Sequence, residues 1–285
     1  MAESFQGQRA TQSQRASEPP GVALVTGGSK GAGRAVALGL GAAGFAVAVL
    51  ARSPGPLEET RALLEARGVP SAAYLADVRD ADAVASAVAA AERDLGPIST
   101  VVNNAGTSLA TGPLWETDPR DWWTDLETSL GGAVNVCRSV IPGMIARGRG
   151  RILNVSSYAG LRPAPYQSAY GCAKAGLASL TESLSVSLDP HGIRAFTVTP
   201  GFVATDLTRR LTGSPAGRRW LPELAARDAI DPDLFVRLTV TVALGGADVL
   251  NGRFLHALDD IGELVRRFSE VQAAELYLPR LRRLG

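Results

Sequence analysis

Tyr170 and Lys174 stand four residues apart in SAYGCAKAGLASLTESL, a stretch whose spacing predicts a helix over Ser168 to Asp189. At that separation both side chains lie on one helical face. A phenol with a pKa of about 10 is a poor proton donor or acceptor at neutral pH. A neighbouring ammonium stabilises the phenolate and brings it toward working range, and Lys174 is placed to be that neighbour. Tyrosine and lysine so spaced also occur as an ordinary solvated pair. The pair therefore takes its meaning from what surrounds it.

A second chemical feature lies near the start of the chain. In VALVTGGSKGAGRAVALGL a buried apolar strand runs directly into a glycine-rich turn and a helix start, the context of a dinucleotide-binding loop. Gly27, Gly31 and Gly33 let the backbone turn tightly and approach a pyrophosphate, with Ser29, Lys30 and Ala32 between them. The spacing is GxxxGxG rather than GxGxxG. Where an acid at the end of the second strand would hold the ribose 2′-hydroxyl of NAD, this chain reads AVAVLARSPG. Ala51 offers no carboxylate, and the Arg52 that follows suits a 2′-phosphate, with Lys30 as a second cation. NADP(H) is favoured over NAD(H).

These groups need a scaffold, and the pattern from Val22 onward supplies one. Short apolar runs alternate with longer Ala-rich stretches, as in a parallel sheet with crossover helices. Strands are expected at Val22 to Thr26, Ala46 to Leu50, Ala72 to Leu75, Thr100 to Asn103, Arg151 to Ser156, Arg194 to Thr199 and Arg253 to Ala257. Helices are expected at Gly33 to Ala43, Leu57 to Arg67, Ala81 to Arg93, Asp121 to Arg147 and Ser168 to Asp189, with one more after Asp259. The expected fold is a single α/β domain, a doubly wound Rossmann-type parallel sheet of about seven strands over residues 21–285. Residues 1–20, polar and without the apolar core of a secretory signal, read as a disordered leader, and about 202–230 as a substrate lid.

Five motifs, TGGSKGAG, NNAG at Asn103 to Gly106, the Ser-Ser of RILNVSSYAG, YGCAK and TPGFVATDL, occur together in one order between Val22 and Leu207. In this the chain resembles the short-chain dehydrogenase/reductase family. The resemblance implies that Ser157 hydrogen-bonds the substrate oxygen, Tyr170 passes the proton and Lys174 also holds the nicotinamide ribose. It implies adenine contacts from Asp77, with Val78 beside it, and a cofactor wall from Asn103, Ala105 and Gly106. Pro200, Gly201, Val203 and Thr205 would border the nicotinamide, Thr205 reaching the carboxamide. The activity implied is interconversion of a ketone or aldehyde with an alcohol on a small substrate. A redox-neutral epimerase, dehydratase or isomerase, or a cofactor-binding protein without turnover, would use the same fold.

The chain departs from that family in two places. Many members carry an asparagine that helps a proton relay in the helix after NNAG. Counting back from Pro142 and Met144 puts Ser129 there, so the relay is open: Ser129 could hold a water in its stead. The C-terminal part, GGADVLNGRFLHALDDIGELVRR, lacks the usual ending, and its Asp259 and Asp260 read as a helix cap rather than metal ligands. No metal site is expected, and His191 and His256 are assigned to structure. Arg209, Arg210, Arg218 and Arg219 in the lid could meet an anionic substrate group or solvent. Trp115, Tyr158, Tyr166, Phe202 and Trp220 could wall the pocket or fill the core.

Composition narrows the partners. With 29 basic and 28 acidic residues there is no global field toward nucleic acid or an anionic membrane, and a small carbonyl or alcohol is the expected partner. Two cysteines without CxxC spacing, and no long apolar span, suggest a cytoplasmic protein. The amphipathic stretches Asp121 to Arg147 and Ser168 to Asp189 suit a homo-oligomer.

Overall fold

A computed structural model describes residues 20–280. The expected leader, Pro20 apart, lies outside them. Seven strands form one parallel sheet: β1 Val22–Thr26, β2 Ala46–Ala51, β3 Ser71–Leu75, β4 Ile98–Asn103, β5 Gly150–Val155, β6 Ile193–Thr199 and β7 Phe254–His256. Their order is β3-β2-β1-β4-β5-β6-β7. The chain moves one way from β1 and then returns to β1's other side at β4. That reversal opens a crevice beyond the carboxyl ends of β1 and β4, where doubly wound sheets bind ligands. Each expected strand is present, with its ends moved by no more than two residues.

The core follows from the two-residue period of a strand. Ala23 and Val25 of β1 face one side of the sheet, Val22 and Leu24 the other, and all four are buried. On the first side lie α1 (Gly31–Ala42), α2 (Pro54–Glu65) and α10 (Pro232–Ala243), with Val36, Leu40, Leu64, Phe235 and Val242 in one cluster. On the second, α3 (Ala81–Leu95) and α5 (Gly132–Arg147) bring Val84, Val88, Val136, Val140 and Met144 into another. Full burial of a side chain such as Phe235 contributes roughly 2–3 kcal/mol. No helix among the described residues is long and apolar enough to cross a membrane.

Three elements differ from expectation. The helix expected from Asp121 to Arg147 begins as α4 (Pro119–Leu126), widens into a π turn over Glu127–Gly131 and continues as α5. Backbone angles stay helical across both joints, so the axis continues while the turn gains a residue. The expected open lid is folded into three short helices, α7 (Asp206–Gly213), α8 (Pro215–Trp220) and α9 (Pro222–Ala225). Thr205 and Thr208 form a capping box at α7, Ser214 caps α8, and both α8 and α9 start on a proline. Helix α10 was not expected at all. It opens on the Asp231 cap and Pro232, and it buries Phe235, Leu238 and Val242 at helical spacing. Beyond the connection between β5 and α6 (Ser168–Leu188), the chain closes with α11 (Ile261–Arg266) and α12 (Phe268–Ala273). Asp260 alone caps α11, while Asp259 accepts the His256 amide at 2.7 Å.

Candidate active site

A cleft of about 710 Å³ runs along the carboxyl ends of the strands. Its floor begins at the β1 to α1 turn, where Gly27 (φ +63°) and Gly31 (φ +53°) take left-handed backbone that other residues avoid. Gly33 is required for space: a methyl there would lie 2.3 Å from the Gly27 carbonyl and 2.4 Å from Asn104 Nδ2. Asn104 is the tie, since its Nδ2 donates to the carbonyls of Thr26 (3.0 Å) and Gly27 (3.3 Å). Thr26 Oγ1 accepts the Asn104 and Ala105 amides in return. Arg34 fastens the turn from behind, donating to Ser29 O at 3.0 Å and to Thr60 Oγ1 at 2.9 Å. The N-cap of α1, Lys30, makes no side-chain cap, and its first turn carries no acid. The helix amides there are open to an anion.

The expected cofactor residues divide by position. Gly27, Ser29, Lys30, Gly31, Ala32, Gly33, Arg52, Val78, Ala105 and Gly106 line the cleft at its glycine end, and Pro200, Gly201, Val203 and Thr205 line its far wall. Thr205's hydroxyl is engaged in the capping box with Thr208. Asp77 is not among the lining residues. Its carboxylate takes Arg79 Nη2 at 2.7 Å and stands 3.6 Å from Arg52 Nη1, and Arg79 holds it below the usual carboxylate range. Asn103 is buried in the sheet, donating to Asn154 Oδ1 at 2.8 Å, and the cleft position falls to Asn104. Ser53, the N-cap of α2, also lines the cleft and makes no cap with its hydroxyl.

Tyr170 and Lys174 both face the cleft from α6. Lys174 is buried, donates to the Val155 carbonyl at 2.8 Å and sits 5.4 Å from the centroid of the Tyr170 ring. Burial lowers its pKa to about 8. The expected depression of the phenol by this ammonium does not occur here. Burial raises the Tyr170 pKa, the Ser157 hydroxyl pulls it down and Asp125 raises it further. Burial also disfavours the charge of Lys174 itself. Ser157 reaches Tyr170 from the end of β5 and accepts the Ala159 amide at 3.3 Å. Gly160 lets that segment lie on α6, since a methyl there would fall 2.6 Å from the Lys174 carbonyl carbon. Ser156 is turned inward, donating to Lys174 O at 2.8 Å.

Ser129 occupies the middle of the π turn, buried, with a hydroxyl that has no partner among the described residues. It and Lys174 flank Gly106: a methyl on Gly106 would lie 3.1 Å from Ser129 Oγ and 3.5 Å from Lys174 Nζ. The substrate end is walled by Thr107, Ser108, Leu109 and Thr111 and by lid residues Leu207, Arg210 and Leu211. None of the five aromatic residues considered for that wall lines the cleft. Tyr158 stacks on His256 at 5.0 Å, and Tyr166 packs on Trp220 at 4.8 Å. Phe202 sits under Arg227, and Trp115 is exposed. Of the four lid arginines only Arg210 lines the cleft. Arg209 pairs with Asp206, Arg218 donates to Gly213 O and Arg219 stacks on Trp220.

Comparison with known proteins agrees with this geometry. A family model described as short chain dehydrogenase matches residues 21–215. The acetoacetyl-CoA reductase of Rhizobium meliloti (strain 1021) is 34% identical over 236 residues, 83% of this chain and 96% of that protein. Among solved structures, NAD+-bound xylitol dehydrogenase superposes with a TM-score of 0.77 at 28% identity, covering 84% of this chain and 97% of that one. A substituted actinorhodin polyketide ketoreductase with NADPH gives a TM-score of 0.76 at 29% identity, covering 85% and 97%. With that model matching most of the chain and a seven-stranded sheet that superposes on such proteins, this chain belongs to the short-chain dehydrogenase/reductase family of carbonyl and alcohol oxidoreductases.

Proposed function

We propose that the protein is an NADP(H)-dependent reductase of a small ketone or aldehyde, working reversibly on the alcohol. The observation that carries this reading is the meeting of Tyr170 and Lys174 in the same cleft as an uncapped helix start flanked by two cations, with Ser157 hydrogen-bonded to Tyr170 beside it. The cofactor fits the residues present. Gly27 to Gly33 leave room for its pyrophosphate, and Lys30, Arg52 and the free Ser53 hydroxyl surround the place of a 2′-phosphate. When bound, it supplies the hydride for the carbonyl carbon.

The chain's own residues then handle the oxygen. Tyr170 donates its proton to the oxygen as charge develops there, and the Ser157 hydroxyl donates a second hydrogen bond to it. Lys174 places its ammonium beside the ring and, with Ser129 across Gly106, frames a place where a water can resupply the proton. A phenol raised by burial holds its proton until hydride arrives, which suits reduction near neutral pH.

The NADP preference is tested with Arg52→Asp. Its kcat/KM with NADPH is expected to fall by about tenfold or more, as the loss of a charge-assisted contact of about 1.5–3 kcal/mol requires, while NADH use holds or improves. Equal losses with both cofactors in steady-state kinetics would remove the assignment.

A further inference from the structure

Asp125 is fully buried on α4, and its carboxylate binds no cation among the described residues. It accepts three hydrogen bonds from backbone amides instead. Leu109 N donates to Oδ1 at 2.9 Å and to Oδ2 at 2.8 Å, and Ala110 N donates to Oδ2 at 3.0 Å. The segment so held, Thr107 to Thr111, is the wall of the cleft at its substrate end. Weaker ties fasten the same segment at its edges: Gln167 Nε2 donates to Ser108 Oγ at 3.1 Å and Gly112 N to Tyr166 O at 2.8 Å. Those partners lie in the turn that leads into α6, so the wall is fixed relative to Tyr170 from two directions. Helix α4 itself packs on α6, where Trp122 Nε1 donates to Ser168 Oγ at 3.0 Å.

A carboxylate is an expensive group to bury, and an apolar residue would fill a helix–helix contact without that cost. What an apolar residue cannot do is hold two consecutive amides of an irregular segment that has no strand to pair with. We propose that Asp125 is a positioning residue of the reaction, holding the 107–111 wall in register with Tyr170 so that the carbonyl is presented to the phenol. This rests on the reading of Tyr170 as proton donor.

The same carboxylate faces the phenol electrostatically. The groups around Tyr170 are Lys174 on its own helix, Ser157 from the end of β5 and Asp125 from α4, with Asp206 and Arg210 of the lid lining the cleft beyond. The negative charge of Asp125 adds to burial in keeping the phenol protonated. Neutralising it makes the proton leave more readily, so the alkaline limb of the reduction profile moves to lower pH.

Two variants separate position from charge. Asp125→Asn is expected to raise the KM for the carbonyl substrate about tenfold or more, leave the KM for NADPH within about twofold, and move the alkaline limb of kcat to lower pH. Asp125→Glu keeps the charge and lengthens the arm, so it raises the substrate KM but leaves the limb in place. Hydrogen exchange of the intact variants reads the positioning without turnover: the Leu109 and Ala110 amides lose protection about tenfold or more while α6 keeps its own. That exchange result stands even if no carbonyl is reduced, which separates failure here from failure of the reductase reading. Unchanged exchange at Leu109 and Ala110, or substrate and cofactor KM rising together with an unmoved pH limb, would overturn the proposal. Should Asp125→Asn not fold, Asp125→Glu carries the test through exchange and the KM split, with the same outcomes deciding.

Discussion

Lys174 is a buried cation whose one acceptor among the described residues is the Val155 carbonyl, and it is held at a cost to the fold. A fall in pKa from 10.5 to about 8 corresponds to roughly 3 kcal/mol against the protonated form. The penalty is complete below pH 8, is relieved between pH 8 and 10.5 as the folded protein releases a proton that the unfolded chain still holds, and is absent above. Lys174→Met should therefore stabilise the cofactor-free protein at pH 7 by about 2 kcal/mol, once about 1 kcal/mol is deducted for the lost hydrogen bond. It should also abolish turnover. Denaturant melts at pH 7 and pH 10 check this: the gain should shrink at the higher pH, and a variant destabilised equally at both would contradict the argument. Tyr170, Lys174 and the glycines were legible from sequence because their chemistry depends on short spacings. Asp125 was not, since an aspartate among Trp and Leu residues reads as solvated until the loop it holds is seen. Its signal was its place on the same helical face as Trp122 and Ser129.

At the scale of elements, the glycine turn leaves no slack. Gly33→Ala puts a methyl 2.3 Å from a backbone oxygen, a contact no rotamer relieves, so the start of α1 must shift away from Gly27 and Asn104. The expected result is a loss of stability of roughly 1–3 kcal/mol and loss of NADPH binding in fluorescence titration. An alanine variant that binds NADPH as tightly as the parent would mean that the turn is not the phosphate site. Strands β1 and β2 were readable because parallel strands buried on both faces run as nearly unbroken Val, Ala and Leu. Helix α10 escaped because its Thr and Val content mimics a strand, and the lid because Gly, Pro and Arg suggest an open loop where caps make short helices. The π turn at Ser129 could not be read at all: nothing in SLGG marks an added residue per turn.

For the molecule as a whole, order along the chain becomes adjacency at one sheet edge. The β1 turn, the ends of β4 and β5, the start of α6 and the segment after β6 lie far apart in sequence, yet β1-β4-β5-β6 are neighbours and their carboxyl ends open on one cleft. The five sequence motifs sit at those ends, which is why their order foretold the site. The rest of the cleft is lined by the 107–111 wall and the lid, whose composition carries no comparable pattern. The central claim is that Tyr170 delivers the proton for a hydride transfer that leaves the cofactor oxidised. The most direct measurement follows NADPH absorbance and alcohol product together, for the parent and for Tyr170→Phe, across a panel of ketones and aldehydes. One NADPH lost per alcohol formed, with turnover falling at least about a thousandfold in Tyr170→Phe while NADPH binding persists, is the predicted result. Product formed without net loss of NADPH, or a phenylalanine variant that still reduces its substrate at a substantial rate, would contradict it.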